Sequence, residues 1–505
     1  MKSFLRIVST LILAGSAAAH ASTSYAVTVA NDKPTTIHVA GTFALVSDTI
    51  GMYVTSSPQL EDGQAGLVRN LVARDSEGAL IDTEYAGKGD WRLVNAVAGQ
   101  VVEIEYDIAL VHGDYDWGPG IDEVAYRQDD GLFFTGFSLF VVPGYESSEL
   151  VTVSFDLPEG WRASTPWLGV DAGDVGGDGD SGNSGDQTFR AAGMMDLVRN
   201  CLFLGTHLEE TVSLEGFTFV LALGGEFKAQ KQLFVDAMAP LLPAYVEMFG
   251  GMPNASRYLV VINPGSRSDG GAFPGSYSML IKGEVTRESA AVWGHGIAHE
   301  LAHFWNGHTI APASGHEEEW FKEGFTDYLT IVHLARSGLD PWQVTSRKLE
   351  NMARRYIVAK RLMGIEDSMR AAGADKHKKR FLVCGGGSLV AFALDVRIRE
   401  ATDNTAGLDD LMKAMYSEFG GVESSGARGR RYTFEDVVRL AGEVSGESQK
   451  AFFQSYVDGT EYLDVVPVFD AIGLRLTTMM DEFYLSERES ATPAQKAMAV
   501  SIFGE

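Results

Sequence analysis

Cysteine is scarce in this chain. Only Cys201 and Cys384 occur among 505 residues, so no disulfide framework organises the fold, and a chain of this size does not need one. The expectation is two unpaired thiols. Positive charge is also short: 41 Lys and Arg face 68 Asp and Glu, a formal net charge of −27. That balance argues against nucleic acid or an anionic membrane as partner. Beyond the first twenty residues no apolar run approaches membrane-spanning length, so no integral membrane segment is expected. No internal repeat is present.

What remains is a globular composition, 45% hydrophobic and 22% charged, with length for several domains. The N-terminus reads as a secretory leader. Lys2 and Arg6 begin it, Leu5 to Ala14 is apolar, and Ala19-His20-Ala21 is a small-residue cleavage site before Ser22. No cysteine follows that site, so lipid anchoring is not suggested. The expectation is a soluble secreted or periplasmic protein released from a cleavable signal peptide.

The segment richest in chemistry is His299-Glu300-Leu301-Ala302-His303. On a helix, residues i and i+4 share a face, so both imidazoles reach one ion and Glu300 projects beside them. This is the His-Glu-x-x-His arrangement of zinc metallopeptidases. Twenty residues after His303, Glu323 lies in Trp320-Phe-Lys-Glu-Gly-Phe325 and offers a third ligand, leaving one position open as a catalytic zinc site requires. Glu288 to Trp305 reads as one helix, with Thr286 as N-cap and Asn306-Gly307 as its stop. Glu319 to Ser337 reads as a second helix, ending at Gly338. Asp327 shares a face with Glu323 and is placed to accept the free ring N–H of a ligating histidine. The expected cofactor is one zinc per chain.

Along the chain, Tyr25 to Trp167 shows short strands separated by Gly, Asp and Pro turns, the pattern of a β-sandwich-like domain. Asp171 to Asp186 alternates Asp with Gly. It lacks the terminal glutamate of a calcium loop and reads as a flexible acidic linker. From Thr188 the pattern is mixed, with strands at Phe217 to Leu223 and Tyr258 to Ile262 and a helix near Lys231 to Phe249. Beyond Pro341 the chain is mostly helical: Leu408 to Phe419, Phe434 to Val444 after a capping box at Thr433-Phe-Glu-Asp436, and Glu447 to Val457. The last thirty residues read as an accessory helix or mobile tail.

With these elements placed, the chain resembles the glycyl aminopeptidases, metallopeptidase family 61 of the gluzincins. The residues that carry the resemblance include Trp305-Asn306, Ile310-Ala-Pro312, Trp320-Phe-Lys-Glu-Gly-Phe-Thr-Asp-Tyr328, Leu389 to Arg399 and Phe453 to Thr460. Upstream, Leu157-Pro-Glu-Gly-Trp161 and Phe189-Arg-Ala191 also match. The resemblance implies an α+β multidomain fold: a β-sandwich-like N-terminal domain, a thermolysin-like zinc metallopeptidase catalytic domain and a helical C-terminal domain. The expected bounds are 1–21 for the signal peptide, 22–187 and 188–339 for the first two domains, 340–475 for the helical domain and 476–505 for a tail. Many members add a PDZ domain, for which this chain leaves no room after Gly473-Leu474.

The resemblance makes His299, His303 and Glu323 the zinc ligands and Glu300 the general base that acts on a metal-activated water. Two family positions depart. Gly270-Gly271 is followed by Phe273 where members carry a glutamate that engages the substrate's amine. Cys384 stands where members carry the tyrosine whose hydroxyl stabilises the oxyanion, and a thiol is a weak donor. Gly270, Gly271, Phe273 and Cys384 are therefore the candidate substrate-binding residues. Tyr277 and Tyr328 are alternative hydroxyl sources, Asp269 is an alternative acid for the amine, and His295 reads as packed beside the site. His308 and His316 are expected in solvent. The expected function is hydrolysis of peptide or protein substrates. The alternative is a catalytically weakened zinc protein that binds peptides or protein partners.

Overall fold

The computed structural model describes residues 22–170, 186–214, 216–255, 257–421, 429–479 and 482–504. The leader at 1–21 and nearly all of the acidic Asp/Gly stretch lie outside the described residues.

The first unit is built from strands that bury alternate side chains. In Thr36–Ala44, Ile37, Val39 and Phe43 point inward; in Val101–Ala109, Val102, Ile104, Tyr106 and Ile108 do. This period of two makes one face of each strand apolar. The two strands pair antiparallel inside an eight-stranded sheet. A four-stranded sheet, with Gly131–Thr135 and Cys201–Gly205 at its centre, joins it around a core that includes Tyr25, Val39, Tyr106, Phe134 and Leu202. The β-rich unit extends further than the sequence suggests. Asp186–Ala191 pairs with Val151–Asp156, and Cys201–Gly205 belongs to the four-stranded sheet, so the unit runs to Gly205 rather than to residue 187.

The second unit is a five-stranded sheet. Its order is Leu208–Leu214, Phe217–Leu223, Arg257–Pro264, Ser276–Ile281, Asp269–Phe273. The middle three strands run parallel, and Tyr258 to Asn263 are all buried, as suits a strand covered on both faces. The last strand in that order turns back antiparallel and forms the edge. The helix expected from Lys231 to Phe249 is two, Lys231–Met238 and Leu241–Phe249. They part at Ala239-Pro240, where proline cannot continue a helix.

The C-terminal helices include Trp342–Ile357, Gly387–Ala401, Leu408–Phe419 and Phe434–Ser445. Thr433 and Asp436 form the reciprocal capping box. The sequence contains one apolar stretch more than expected: Met369–Ala401 is long and apolar enough to cross a membrane, but 83% of its apolar window is buried inside the protein. Gly387–Ala401 is the central helix, with every residue from Leu389 to Val396 buried. Its first turn meets the helix carrying Glu323 backbone to backbone, since a Cβ on Gly324 would run into the main chain of Gly387. The chain end is a docked element. Leu474–Met479 pairs with Glu482–Glu487, and the helix Pro493–Phe503 is held by Arg336, whose Nε donates to the Ile502 carbonyl at 2.7 Å. Both cysteines are free thiols.

Candidate metal centre

Two elements bring the ligands together. The first is the helix Ala290–Ala302, entered through a reciprocal pair: the Ser289 N–H donates to Thr286 Oγ1 at 3.2 Å and the Thr286 N–H to Ser289 Oγ at 3.0 Å. Ser289, not the expected Thr286, is the N-cap, and its side chain caps no N–H of the first turn. The second is a π-helical turn, Trp320–Phe325, that runs into the α-helix Thr326–Arg336. Glu323 sits in the wide turn, a distortion that often marks functional positions. Asn306 joins the two: its side-chain amide donates to Thr326 Oγ1 at 3.1 Å and to the Phe321 carbonyl at 3.2 Å.

His299 Nε2 and His303 Nε2 face each other at 3.1 Å, and Glu323 Oε2 lies 3.5 Å from each. Ligand atoms about 2.0–2.1 Å from a tetrahedral zinc stand roughly 3.3 Å apart. His303 Nδ1 donates to the Asn306 carbonyl at 3.0 Å, which leaves Nε2 as the lone-pair nitrogen. The donor set and its spacing therefore fit zinc.

Asp327 differs from expectation. Its Oδ1 accepts from His295 Nε2 at 2.9 Å and is 4.0 Å from His299 Nδ1, too far for a hydrogen bond. Its other oxygen pairs with Arg355. Burial would raise this carboxyl, but Arg355 and His295 hold it far below the usual carboxylate range. Burial would likewise raise Glu323; Lys376 and Lys322, with His303, hold it well below. Lys376 Nζ lies 3.1 Å and Lys322 Nζ 3.2 Å from Glu323 Oε1, the oxygen turned away from the histidine pair.

The site opens into a cleft of about 500 Å³, whose lining includes Glu123, Asp269, Glu300, Arg355, Lys376 and Cys384. Gly270 borders Glu300 closely: a Cβ there would stand 3.1 Å from Glu300 Oε1. The edge strand Asp269–Phe273 forms one wall together with the short turn Ile121–Glu123 of the first unit. Burial raises Glu123 to about 7, although Lys376 and Lys322 pull against it. Asp122 behind it is fully buried with no hydrogen bond to either oxygen; burial, then Asp269 and Glu123, raises it to about 8.

Residues 60–205 match the family described as Peptidase M61 N-terminal domain, and residues 295–379 match M61 glycyl aminopeptidase. By these two matches the chain is similar to the M61 peptidases. It is also 28% identical over 211 residues to leucine aminopeptidase 2 of Eremothecium gossypii, a match that covers 40% of this chain and 30% of that protein's length. An aminopeptidase N family protein from Idiomarina loihiensis shares the fold with a TM-score of 0.74 at 19% identity, covering 90% of this chain and 79% of that one. An M1 zinc metallopeptidase mutant from Deinococcus radiodurans, bound to Tyr-Ser-Ala, gives 0.59 at 15% identity, covering 88% and 95%.

Against that family pattern, two candidates fall differently. Cys384 does line the cleft, from a second π-helical turn, Phe381–Gly386. Burial, then Glu323, pushes its thiol up to about 12. Phe273 does not line the cleft. It is buried among Tyr126, Phe133 and Leu259, under the ring of Phe137, because the far end of the edge strand packs into the core between the units. Gly271 touches Glu123 instead: a Cβ there would collide with its side chain. The alternative tyrosines are engaged elsewhere. Tyr328 donates to Asp395 Oδ2 at 2.7 Å, and the Tyr277 hydroxyl lies 3.7 Å from Met238 Sδ in the core. His316 is exposed, but His308 is half-buried, with its Nε2 enclosed and unpaired. Glu123, Lys376 and Arg355 were not visible as site residues in the sequence. The dense basic run Lys376-His-Lys-Lys-Arg380 in an acidic chain was the one signal for Lys376.

Proposed function

We propose that the protein is an exported zinc metallopeptidase that removes residues from the amino end of peptides. The observation that carries the reading is the triangle of His299, His303 and Glu323 beside a cleft-facing Glu300. Zinc held by these three residues supplies Lewis-acid polarisation of the scissile carbonyl and of the attacking water. Glu300 takes a proton from the water as it adds to the carbonyl carbon. It returns that proton to the amine as the C–N bond breaks. Gly270 leaves the space in which its carboxylate moves.

Cleavage from the amino end rests on Glu123. A substrate ammonium drawn into a cleft needs an anion. Phe273 supplies none, but Glu123 reaches the same wall from the first unit, with Asp269 beside it and Asp122 behind. The Tyr-Ser-Ala complex of the similarly folded M1 enzyme supports a short peptide as substrate. The leader residues Lys2, Arg6 and Ala19-His20-Ala21 support export.

A second reading, a zinc protein that binds peptides without turning them over, is favoured by Cys384 alone. The test is a set of matched peptides, free and N-acetylated, incubated with zinc-loaded protein and read by mass spectrometry. The reading expects loss of N-terminal residues from free peptides only. Equal cleavage of both forms would remove the aminopeptidase mode. No cleavage of either by a protein that holds zinc would leave the binding reading.

A further inference from the structure

The reaction develops a negative charge that a donor besides the metal would stabilise further. When water adds to the carbonyl, the C=O electron pair moves onto oxygen, and an enzyme of this kind gains much of its rate from a donor aimed at that oxyanion. The family position for the donor is Cys384, a weak one. Tyr277 and Tyr328 point into other interactions. Among the cations lining the cleft, Arg355 is paired with Asp327, Arg267 lies 3.7 Å from Asp269, and Arg380 is exposed to solvent. Lys322 touches Glu323 without lining the cleft.

Lys376 has the required placement. It opens the helix Lys376–Arg380, lines the cleft, and has a side chain 26% exposed. Its Nζ is 3.1 Å from Glu323 Oε1 while Glu323 Oε2 faces the histidine pair, so the Glu323 carboxylate stands between the ammonium and the two imidazoles. Glu319 Oε2, 3.0 Å away, holds it from the other side. Cys384 and Glu123 both lie within its electrostatic reach, and all three line the same cleft.

We propose that Lys376 is the oxyanion donor of this enzyme, replacing the tyrosine hydroxyl that Cys384 cannot provide. An N–H of its ammonium donates to the carbonyl oxygen as the electron pair arrives there. The pair returns to re-form C=O when the C–N bond breaks and the amine takes its proton from Glu300. The lysine gives up no proton.

This inference rests on the zinc peptidase reading, and the experiment separates the two. Lys376→Met, Lys376→Gln, Lys376→Arg and the double variant Lys376→Met with Cys384→Tyr are compared with the unmodified protein. Zinc content, kcat, KM and calorimetric affinity for a phosphinic dipeptide, a tetrahedral anion, are measured for each. In Lys376→Met and Lys376→Gln, kcat should fall by about a hundred- to a thousandfold, the cost of one such donor, with KM and zinc content nearly unchanged. Phosphinic affinity should fall in parallel while affinity for the neutral-carbonyl substrate holds. Lys376→Arg should retain most activity, and Cys384→Tyr should restore at least a tenth of what Lys376→Met loses. Unchanged kcat and phosphinic affinity, or a loss explained by missing zinc, would overturn the role. If the unmodified protein turns over no peptide, the peptidase reading fails, and the phosphinic affinities alone then decide whether Lys376 binds the anion.

Discussion

Asp327 Oδ1 accepts its short hydrogen bond from His295 Nε2, at 2.9 Å, and stands 4.0 Å from Nδ1 of the candidate ligand His299. Its main partner is Arg355, which is mostly buried with it. Asp327→Ala should therefore cost stability more than metal. Leaving Arg355 and His295 unpaired should lower unfolding free energy by about 3 kcal/mol, as when one member of a buried ion pair is removed. Zinc affinity should fall by less than about tenfold, below the range for a carboxylate bonded directly to a ligand. Denaturant titration and competition with a chelator measure the two effects separately.

Metal content and chemistry should separate at Glu300. The wild-type protein should hold one zinc, since the two candidate triads, His299/His303/Glu323 and His295/His299/Asp327, share His299, and Asp327 in the second is paired with Arg355. Glu300→Gln should keep that zinc and lose nearly all turnover, because an amide cannot accept the water's proton. Elemental analysis alongside a peptide assay checks both, and a mutant as active as wild type would remove Glu300 as the base.

Glu123 predicts a pH dependence with a definite sign. Its carboxyl is raised to about 7. Below that pH it is neutral and offers the substrate ammonium no anion. KM for free peptides should therefore rise as pH falls below about 7, by up to about tenfold per unit. Glu123→Gln should raise KM above pH about 7, match wild type well below it, and so flatten this limb. A KM profile unaffected by the substitution would exclude Glu123 as the amine anchor.

Asp122 predicts the pH dependence of stability. Its folded pKa, about 8, lies above the unfolded value, so the folded state binds the extra proton. The stabilisation is complete below pH about 4 and is lost as pH rises through 8. Asp122→Asn keeps the shape without the charge. It should stabilise the protein relative to wild type progressively between those limits, which melting temperatures at pH 5 and pH 8 would show.

The part of this site that sequence reveals is the part made by neighbours. His299 and His303 are one helical turn apart, and Glu323 and Asp327 likewise, so a helix period alone places them. The capping box at Thr433 and the stop at Gly338 are equally local, and their structure follows the expectation, whereas the N-cap expected at Thr286 falls at Ser289. What escapes is set by packing between distant segments. Glu123 comes from a turn of the first unit laid against Gly271. Lys376 arrives from a helix beyond the second ligand element. Phe273 shows the converse: counting from Gly270-Gly271 assigns it to the cleft, but the edge strand carries its end under Phe137. Asp327 shares the face expected of it, yet His295, whose ring nitrogen competes for the same oxygen, wins the hydrogen bond.

The contact of Gly324 with Gly387 also has a temporal meaning. The histidine pair is complete once a growing chain has passed residue 303, but Glu323 rides on a turn that is seated only when Gly387 arrives to face it. The full candidate ligand set is therefore expected to wait on residues made some sixty positions later, so that metal capture would follow docking of the C-terminal helices instead of seeding them.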